Sequence, residues 1–148
     1  MLRKLALPVL FVAVFAAGFL AGNTSTFEWL PQAHAQKQGC VFELRTYTAS
    51  GGKLEEVKAR FRDHTMRYFE RHGMTNIGYW TPVDAPGSQT TLVYLLAHSS
   101  REAAKKSWDA FRKDPDWVKA RDASNANGNI VAKTESVFLD ATTFSQLK

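Results

Sequence analysis

Two segments of the sequence each carry an acidic and a basic residue separated by one position. Glu43 and Arg45 lie in the segment VFELRTYT, and Lys133 and Glu135 lie in IVAKTESVFL. These four side chains could bind an anionic or carbonyl group. The alternative is a structural ion pair between Arg45 and a carboxylate, because a charge that turns toward a protein interior needs a partner.

Two tyrosines and a histidine could supply the groups for acid–base chemistry. Tyr47 follows Arg45 by two residues, and Tyr94 and His98 lie in the segment TTLVYLLAH. A histidine titrates near neutral pH, which suits proton transfer. His98 also stands at a predicted strand end just before a helix cap, which is typical of a structural residue. The candidate pocket comprises Glu43, Arg45, Tyr47, Tyr94, His98 and Glu135.

The remaining histidines and the single cysteine favour no metal or cofactor site. His64 and His72 are eight residues apart, whereas two imidazoles on one metal need the spacing of one helical turn. A single axial haem ligand stays open at these positions. Cys40 has no second cysteine to pair with inside the chain, although it could bridge two copies of the chain. We therefore predict no cofactor.

Four strands and two helical regions must position these residues. The strand patterns cover residues 41–48, 74–83, 90–98 and 130–139. A long amphipathic helix follows the first strand and ends at Gly73, and a capping box at residues 99–102 begins the second helical region. Asp114 and Pro115 divide that region into two helices. We expect Trp80, Trp108 and Trp117 to be core and helix-packing residues.

The order β-α-β-β-α-β is that of an α+β, ferredoxin-like fold, a four-stranded antiparallel sheet with both helices on one face. On the first strand, Phe42, Leu44 and Thr46 alternate with the candidate residues. We expect the face away from the helices to carry a mixed apolar and charged set. That set is Tyr47, Tyr94, Leu96, Val137 and Leu139 with Glu43, Arg45, His98, Lys133 and Glu135.

An apolar sheet face of this size is rarely left in contact with water. A twofold dimer would solve the problem, since two such sheets facing each other enclose a barrel-like interior. We therefore predict a homodimer formed through the sheet, with the candidate pocket between the two sheets.

The first 35 residues have the pattern of an export signal. Arg3 and Lys4 precede an uncharged apolar run at residues 5–20, and Ala33-His34-Ala35 has the small residues that signal peptidase favours. We predict a mature chain of residues 36–148, periplasmic or secreted. The apolar run approaches the length that can span a bilayer, so an uncleaved membrane anchor is the alternative.

Composition narrows the class of protein further. The chain has 148 residues, 45% of them hydrophobic, which suits one globular domain and a short extra segment. Residues 36–148 hold 17 basic and 13 acidic residues, a net charge of +4. Their charges alternate in sign along the predicted helices, whereas a nucleic-acid interface would cluster basic residues on one stripe. Nucleic-acid binding is not expected.

Several segments together resemble the NIPSNAP family of the dimeric α+β barrel superfamily, over about residues 42–145. They are FELRTY at 42–47, GK at 52–53, RHG at 71–73 with IGYW at 77–80, WDAF at 108–111 with DPDW at 114–117, and KTES at 133–136. The resemblance implies a ferredoxin-like fold and dimerisation through the sheet. It supplies no defined set of catalytic residues to carry over.

Three functions follow as hypotheses. The first is an exported homodimeric domain that binds a small molecule in the pocket between its sheets. The second is a cofactor-independent enzyme, a monooxygenase or isomerase acting on an aromatic or conjugated substrate, with Arg45 and His98 among the groups that orient it and move protons. The third is an interaction module whose outer helices recruit an envelope protein.

Overall fold

A computed structural model describes residues 40–148, and the predicted signal segment lies outside them. Within this range no helix is long and apolar enough to cross a membrane. The strands are β1 (Val41–Ala49), β2 (Thr75–Trp80), β3 (Thr91–His98) and β4 (Val131–Asp140). The helices are α1 (Leu54–Arg60, a π-helical turn Phe61–Thr65, and Met66–Arg71), α2 (Gly87–Thr90), α3 (Arg101–Lys113) and α4 (Pro115–Ser124).

The four strands form one antiparallel sheet in the order β2-β3-β1-β4. Three of the four helices follow the predicted scheme, and α2 is a single short turn in the connection between β2 and β3. The α+β, ferredoxin-like prediction is confirmed. The first long helix ends as predicted, at Gly73, whose φ of 75° is a conformation that glycine adopts without strain.

The core lies between one face of the sheet and the helices, and it is rich in aromatic rings. Phe69 and Phe111 pack with their ring centroids 4.9 Å apart, and the rings of Phe111 and Trp117 stack at 4.4 Å. Trp108 and Trp117 are buried, as predicted, but Trp80 is 54% exposed. The prediction was wrong for Trp80 because this residue lies on β2, an edge strand, where its partner is Val93 on the face away from the helices.

The helices cover the opposite sheet face from the one predicted for β1 and β3. Paired residues in a sheet share a face, and the buried Tyr94 pairs with Arg45, while Leu96 pairs with Glu43. Five of the six candidate pocket residues therefore lie beneath the helices, namely Glu43, Arg45, Tyr47, Tyr94 and His98. Glu135 lies on the open face, in an ion pair with Lys133.

On β1 and β3 the open face is mainly apolar, where the prediction had placed Glu43, Arg45 and His98, whereas Lys133 and Glu135 on β4 lie on the open face as predicted. One cross-strand row consists of Ala97, Phe42 and Leu139, and the next of Leu95, Leu44 and Val137. Sequence alternation separates the two faces of β1, but it does not show which face the helices cover. The helices cover the face that carries Tyr94, Tyr47 and the hydrogen-bonded Glu43, so Phe42 and Leu44 lie on the open face.

Asp114 connects the end of α1 to the start of α4. Its Oδ1 accepts hydrogen bonds from the backbone N–H groups of Asp116 and Trp117, which caps α4 as the sequence predicted. Its Oδ2 contacts His72 Nε2 at 2.7 Å and Arg71 Nη1 at 3.2 Å. The hydrogen bond with His72 is the main cause that lowers the pKa of Asp114 to about 2.

Replacing Asp114 with Asn and with Ala separates its two roles. Asn can still cap α4 but loses the charge that faces His72 and Arg71, whereas Ala loses both. We expect Asp114→Ala to lower Tm by several degrees more than Asp114→Asn at pH 7, measured by circular dichroism. Equal Tm values for the two variants would contradict the cap assignment.

Candidate functional site

The carboxylate of Glu43 collects four hydrogen bonds beneath α3. Oε1 accepts from Arg45 Nη1 at 2.7 Å and from Ser136 Oγ at 2.6 Å. Oε2 accepts from Trp108 Nε1 at 2.6 Å and lies 3.0 Å from His98 Nε2. Glu43 is only 1% exposed, so these four donors replace the water that its charge would otherwise bind.

The charge of this cluster is fixed at physiological pH. Burial alone would raise the pKa of Glu43, but the hydrogen bonds from His98, Ser136, Trp108 and Arg45 lower it to about 2. Burial opposes the charge of Arg45, whereas Tyr94, Tyr47 and Glu43 raise its pKa above the ordinary value. Because Glu43 is ionised, His98 donates to it from Nε2, and the Nδ1 atom of His98 has no partner in the described region.

Arg45 is held in place from two sides. Its guanidinium carbon lies 4.3 Å from the ring centroid of Trp108, a cation–π contact, while Nη1 is engaged by Glu43. Its Nε atom is buried and has no hydrogen-bond partner within residues 40–148. The ion pair predicted as the structural alternative is therefore present, yet it leaves part of the guanidinium unsatisfied.

A groove of about 530 Å³ lies above this cluster, between α3 and β4. We call it the basic groove. Glu43, Arg45, Trp108 and Ser136 line its inner part. Its outer part is lined by Arg101, Glu102, Lys105, Arg112 and Phe138.

The cations of the outer part differ in how well they are neutralised. Arg112 pairs with Asp109. Arg101 and Lys105 have no carboxylate within 4 Å among residues 40–148. The guanidinium carbon of Arg101 lies 3.6 Å from the ring centroid of Phe138, which fixes its position over β4. Two cations without an ion pair therefore face one groove, whose lining also includes the carboxylate of Glu102.

The spacing of the basic residues on α3 could have predicted this groove, although the charges along the helix alternate in sign. Arg101, Lys105, Trp108 and Arg112 follow spacings of four, three and four, which place all of them on one stripe of a helix. The alternating charges of this helix are typical of a solvated face, and the sequence predicts Trp108 to be a core residue. Trp108 lies in the same stripe and joins the exposed cations to the buried cluster.

The structure separates the predicted acid–base residues from the groove. Tyr94 is fully buried in the aromatic core, with its ring stacked on Tyr79 at 5.5 Å, and burial raises its pKa well above the ordinary value. Tyr47 packs edge-on against Tyr94 and Phe61. His98 is 2% exposed and lies behind Glu43. These three residues support the floor of the groove and do not line it.

Comparison with known proteins identifies the family. The family model NIPSNAP matches residues 42–146. The chain belongs to the NIPSNAP family. No curated protein matches the chain.

Solved NIPSNAP structures share the fold described above. A NIPSNAP family protein of unknown function from Agrobacterium tumefaciens is 18% identical, with a TM-score of 0.65 over 75% of this chain and 96% of its own. An uncharacterized NIPSNAP domain protein from Burkholderia xenovorans is 21% identical, with a TM-score of 0.60 over 71% and 97%. SnoaB, a cofactor-independent oxygenase from Streptomyces nogalater, is 14% identical, with a TM-score of 0.50 over 73% and 98%.

Proposed function

We propose that this NIPSNAP domain binds a small organic molecule with two negative charges in the basic groove. The observation that carries the proposal is the pair of uncompensated cations, Arg101 and Lys105, above the fixed Arg45–Glu43 cluster. A cavity of about 530 Å³ lies within the range that small-molecule sites occupy. Arg101 and Lys105, which have no ion pair, can each bind one negative charge of a ligand.

The residues of the groove are suited to binding a ligand and not to transferring a proton. Glu43 stays ionised down to a pH of about 2, and Arg45 stays protonated at all ordinary pH values. Neither group can therefore exchange a proton with a ligand near pH 7. Tyr94 and His98, the residues that the enzyme hypothesis would use, are buried behind the groove. Ligand binding is accordingly the function that this arrangement supports best.

We also propose that the chain forms a homodimer through its open sheet face. The two apolar rows described above cross β3, β1 and β4. Phe42 and Ala97 are already buried in the single chain, whereas Val137 and Leu139 on β4 are 54% and 40% exposed. Exposed apolar residues of this kind are typical of an interface. The ligand site of this proposal lies on the helix side of each sheet, whereas the sequence predicts a pocket between the two sheets.

Export of the chain to the periplasm or cell exterior stays part of the proposal, with membrane anchoring by residues 5–22 as the alternative. Its support is the pattern of residues 1–35.

Binding of phenyl phosphate, with phenol as its uncharged counterpart, tests the groove by isothermal titration calorimetry. At pH 8 we expect a dissociation constant on the order of 0.1 mM for phenyl phosphate, and no measurable heat for phenol. The double variant Arg101→Gln/Lys105→Gln should weaken binding by about 100-fold, because each lost charge-assisted hydrogen bond costs roughly tenfold.

Lys106→Gln is the matched control, since Lys106 lies on the same helix but outside the groove lining. It should leave the affinity within about twofold, the usual size of a surface effect. Failure of the wild type to bind phenyl phosphate, or an equal loss in Lys106→Gln, would contradict the proposal.

A further inference from the structure

Arg60 on α1 is a buried arginine with no carboxylate within 4 Å among residues 40–148. It is 7% exposed, and Nη1 donates one hydrogen bond, to Ser124 Oγ at 3.2 Å. Its Nε atom is buried and has no partner in the described part of the chain. The ring centroid of Trp117 lies 5.5 Å from the guanidinium carbon. A buried cation with one neutral acceptor is unusual, because arginine is rarely buried unless it is paired.

Arg60 borders a cleft between α1 and α4 that is separate from the basic groove. The cleft has a volume of about 330 Å³ and is lined on α4 by Ala120, Ala123 and Ser124. On α1 its lining includes Ala59 next to Arg60. The cleft therefore has an apolar wall of alanine methyl groups and one cation, the guanidinium of Arg60, that could bind an anionic group.

The other charged groups at the cleft select the charge of its occupant. Asp63 lines the cleft, but both of its oxygens are bonded to Arg62, at 2.8 and 3.2 Å. Glu56 and His64 complete the lining. Arg121 is close enough to oppose the charge of Arg60. Because two carboxylates border the cleft, a single negative charge is favoured there over a dianion such as phosphate.

We propose that this cleft binds a small aliphatic monocarboxylate. The carboxylate accepts hydrogen bonds from the guanidinium of Arg60, and the aliphatic part lies against Ala59, Ala120 and Ala123. Ser124 Oγ positions this guanidinium by accepting from Nη1, while its own proton is donated to the carbonyl oxygen of Arg121. The planar fork of arginine matches the two oxygens of a carboxylate. This site does not depend on the basic groove, whose two free cations select a different charge.

Butyrate and its uncharged counterpart butyramide test the cleft in thermal unfolding of the full chain. With a dissociation constant on the order of 10 mM, 100 mM butyrate should raise Tm by about 5 °C. Butyramide at matched ionic strength should raise Tm by less than about 1 °C, and so should phosphate in the Arg101→Gln/Lys105→Gln variant, whose basic groove has lost its two free cations. Equal shifts with butyrate and butyramide would overturn the proposal, as would a larger shift with phosphate than with butyrate in that variant.

Three variants locate the effect. Arg60→Met should abolish the butyrate shift and should not lower Tm in ligand-free buffer, because it removes an uncompensated buried charge while keeping the length of the side chain. Ser124→Ala should weaken butyrate binding by about fivefold, since it removes the acceptor that holds the Arg60 guanidinium in place. Lys119→Gln, an exposed residue of α4 outside the cleft lining, is the control and should keep the full shift.

Retention of the butyrate shift in both Arg60→Met and Ser124→Ala would overturn the proposal. The double variant of the basic groove, Arg101→Gln/Lys105→Gln, should keep the butyrate shift. Its loss there would show that butyrate binds in the groove and would likewise overturn the assignment to the cleft.

Discussion

Replacing Glu43 with Ala is expected to lower the free energy of unfolding at pH 7 by about 4 kcal/mol, the range seen when one partner of a buried ion pair is removed. The change leaves Arg45 without a carboxylate and removes the acceptor of Trp108, Ser136 and His98. Buried donors that lose their acceptor carry the full cost of desolvation. Urea unfolding followed by tryptophan fluorescence measures the difference.

Glu43→Gln is the matched control for charge. It keeps the size of the side chain and one acceptor oxygen, so we expect roughly half the loss of the Ala variant. A loss below about 1 kcal/mol for Glu43→Ala would contradict the role of Glu43 as the centre of the cluster.

The same cluster predicts a pH dependence. The pKa of Glu43 falls from its ordinary value of 4.5 to about 2 in the folded chain. A lowered pKa stabilises the fold above the unfolded value, and this contribution disappears as the pH falls from about 4.5 toward 2. At full size it amounts to about 3 kcal/mol. The wild type should therefore lose stability more steeply than Glu43→Gln between pH 5 and 2, and parallel curves would exclude this effect.

Replacing Val137 with Glu should weaken the proposed dimer by at least about 100-fold, which is the effect of a charge that must be buried without a partner. Val137 lies on the edge strand β4, at the end of an aliphatic row with Leu44 and Leu95. It is 54% exposed in the single chain, so the substitution should leave the protomer folded. Sedimentation equilibrium over a concentration series measures the dissociation constant.

Thr134→Glu is the matched control for this test. Thr134 is a β-branched, exposed residue of the same strand, but it pairs with Tyr47 and lies on the helix side of the sheet. We expect this variant to dimerise like the wild type. A wild-type chain that stays monomeric at 100 μM, or equal weakening by both variants, would contradict dimerisation through the open face.

Local patterns were sufficient to predict the elements and their order. Strand alternation and the end signals at Gly73 and Asp114 depend on neighbouring residues, so they can be detected in a single sequence. The ion pair between Glu43 and Arg45 could also be predicted, because the two residues are two positions apart on one strand. Its other partners could not, since Trp108 and Ser136 are 65 and 93 residues away from Glu43.

The choice of sheet face was the main error, and it has a physical cause. Phe42 and Leu44 are more hydrophobic than Glu43 and Arg45, so the alternation alone favours placing the first pair under the helices. The structure satisfies the charges of the second pair with hydrogen bonds and covers them with Trp108. These hydrogen bonds and contacts join distant segments of the chain, so the sequence alone could not predict them. The candidate site therefore lies in the groove between α3 and β4 and not on the open face.

The most direct test of the basic groove is native mass spectrometry of the protein purified from its own host, beside the Arg101→Gln/Lys105→Gln variant prepared in the same way. The account predicts a discrete adduct on each wild-type protomer, released on denaturation as a small organic dianion and absent from the variant. A wild-type protein without an adduct, and without affinity for phenyl phosphate, would contradict it. An adduct of equal occupancy in the variant would also contradict it, because the ligand would then not depend on the two free cations.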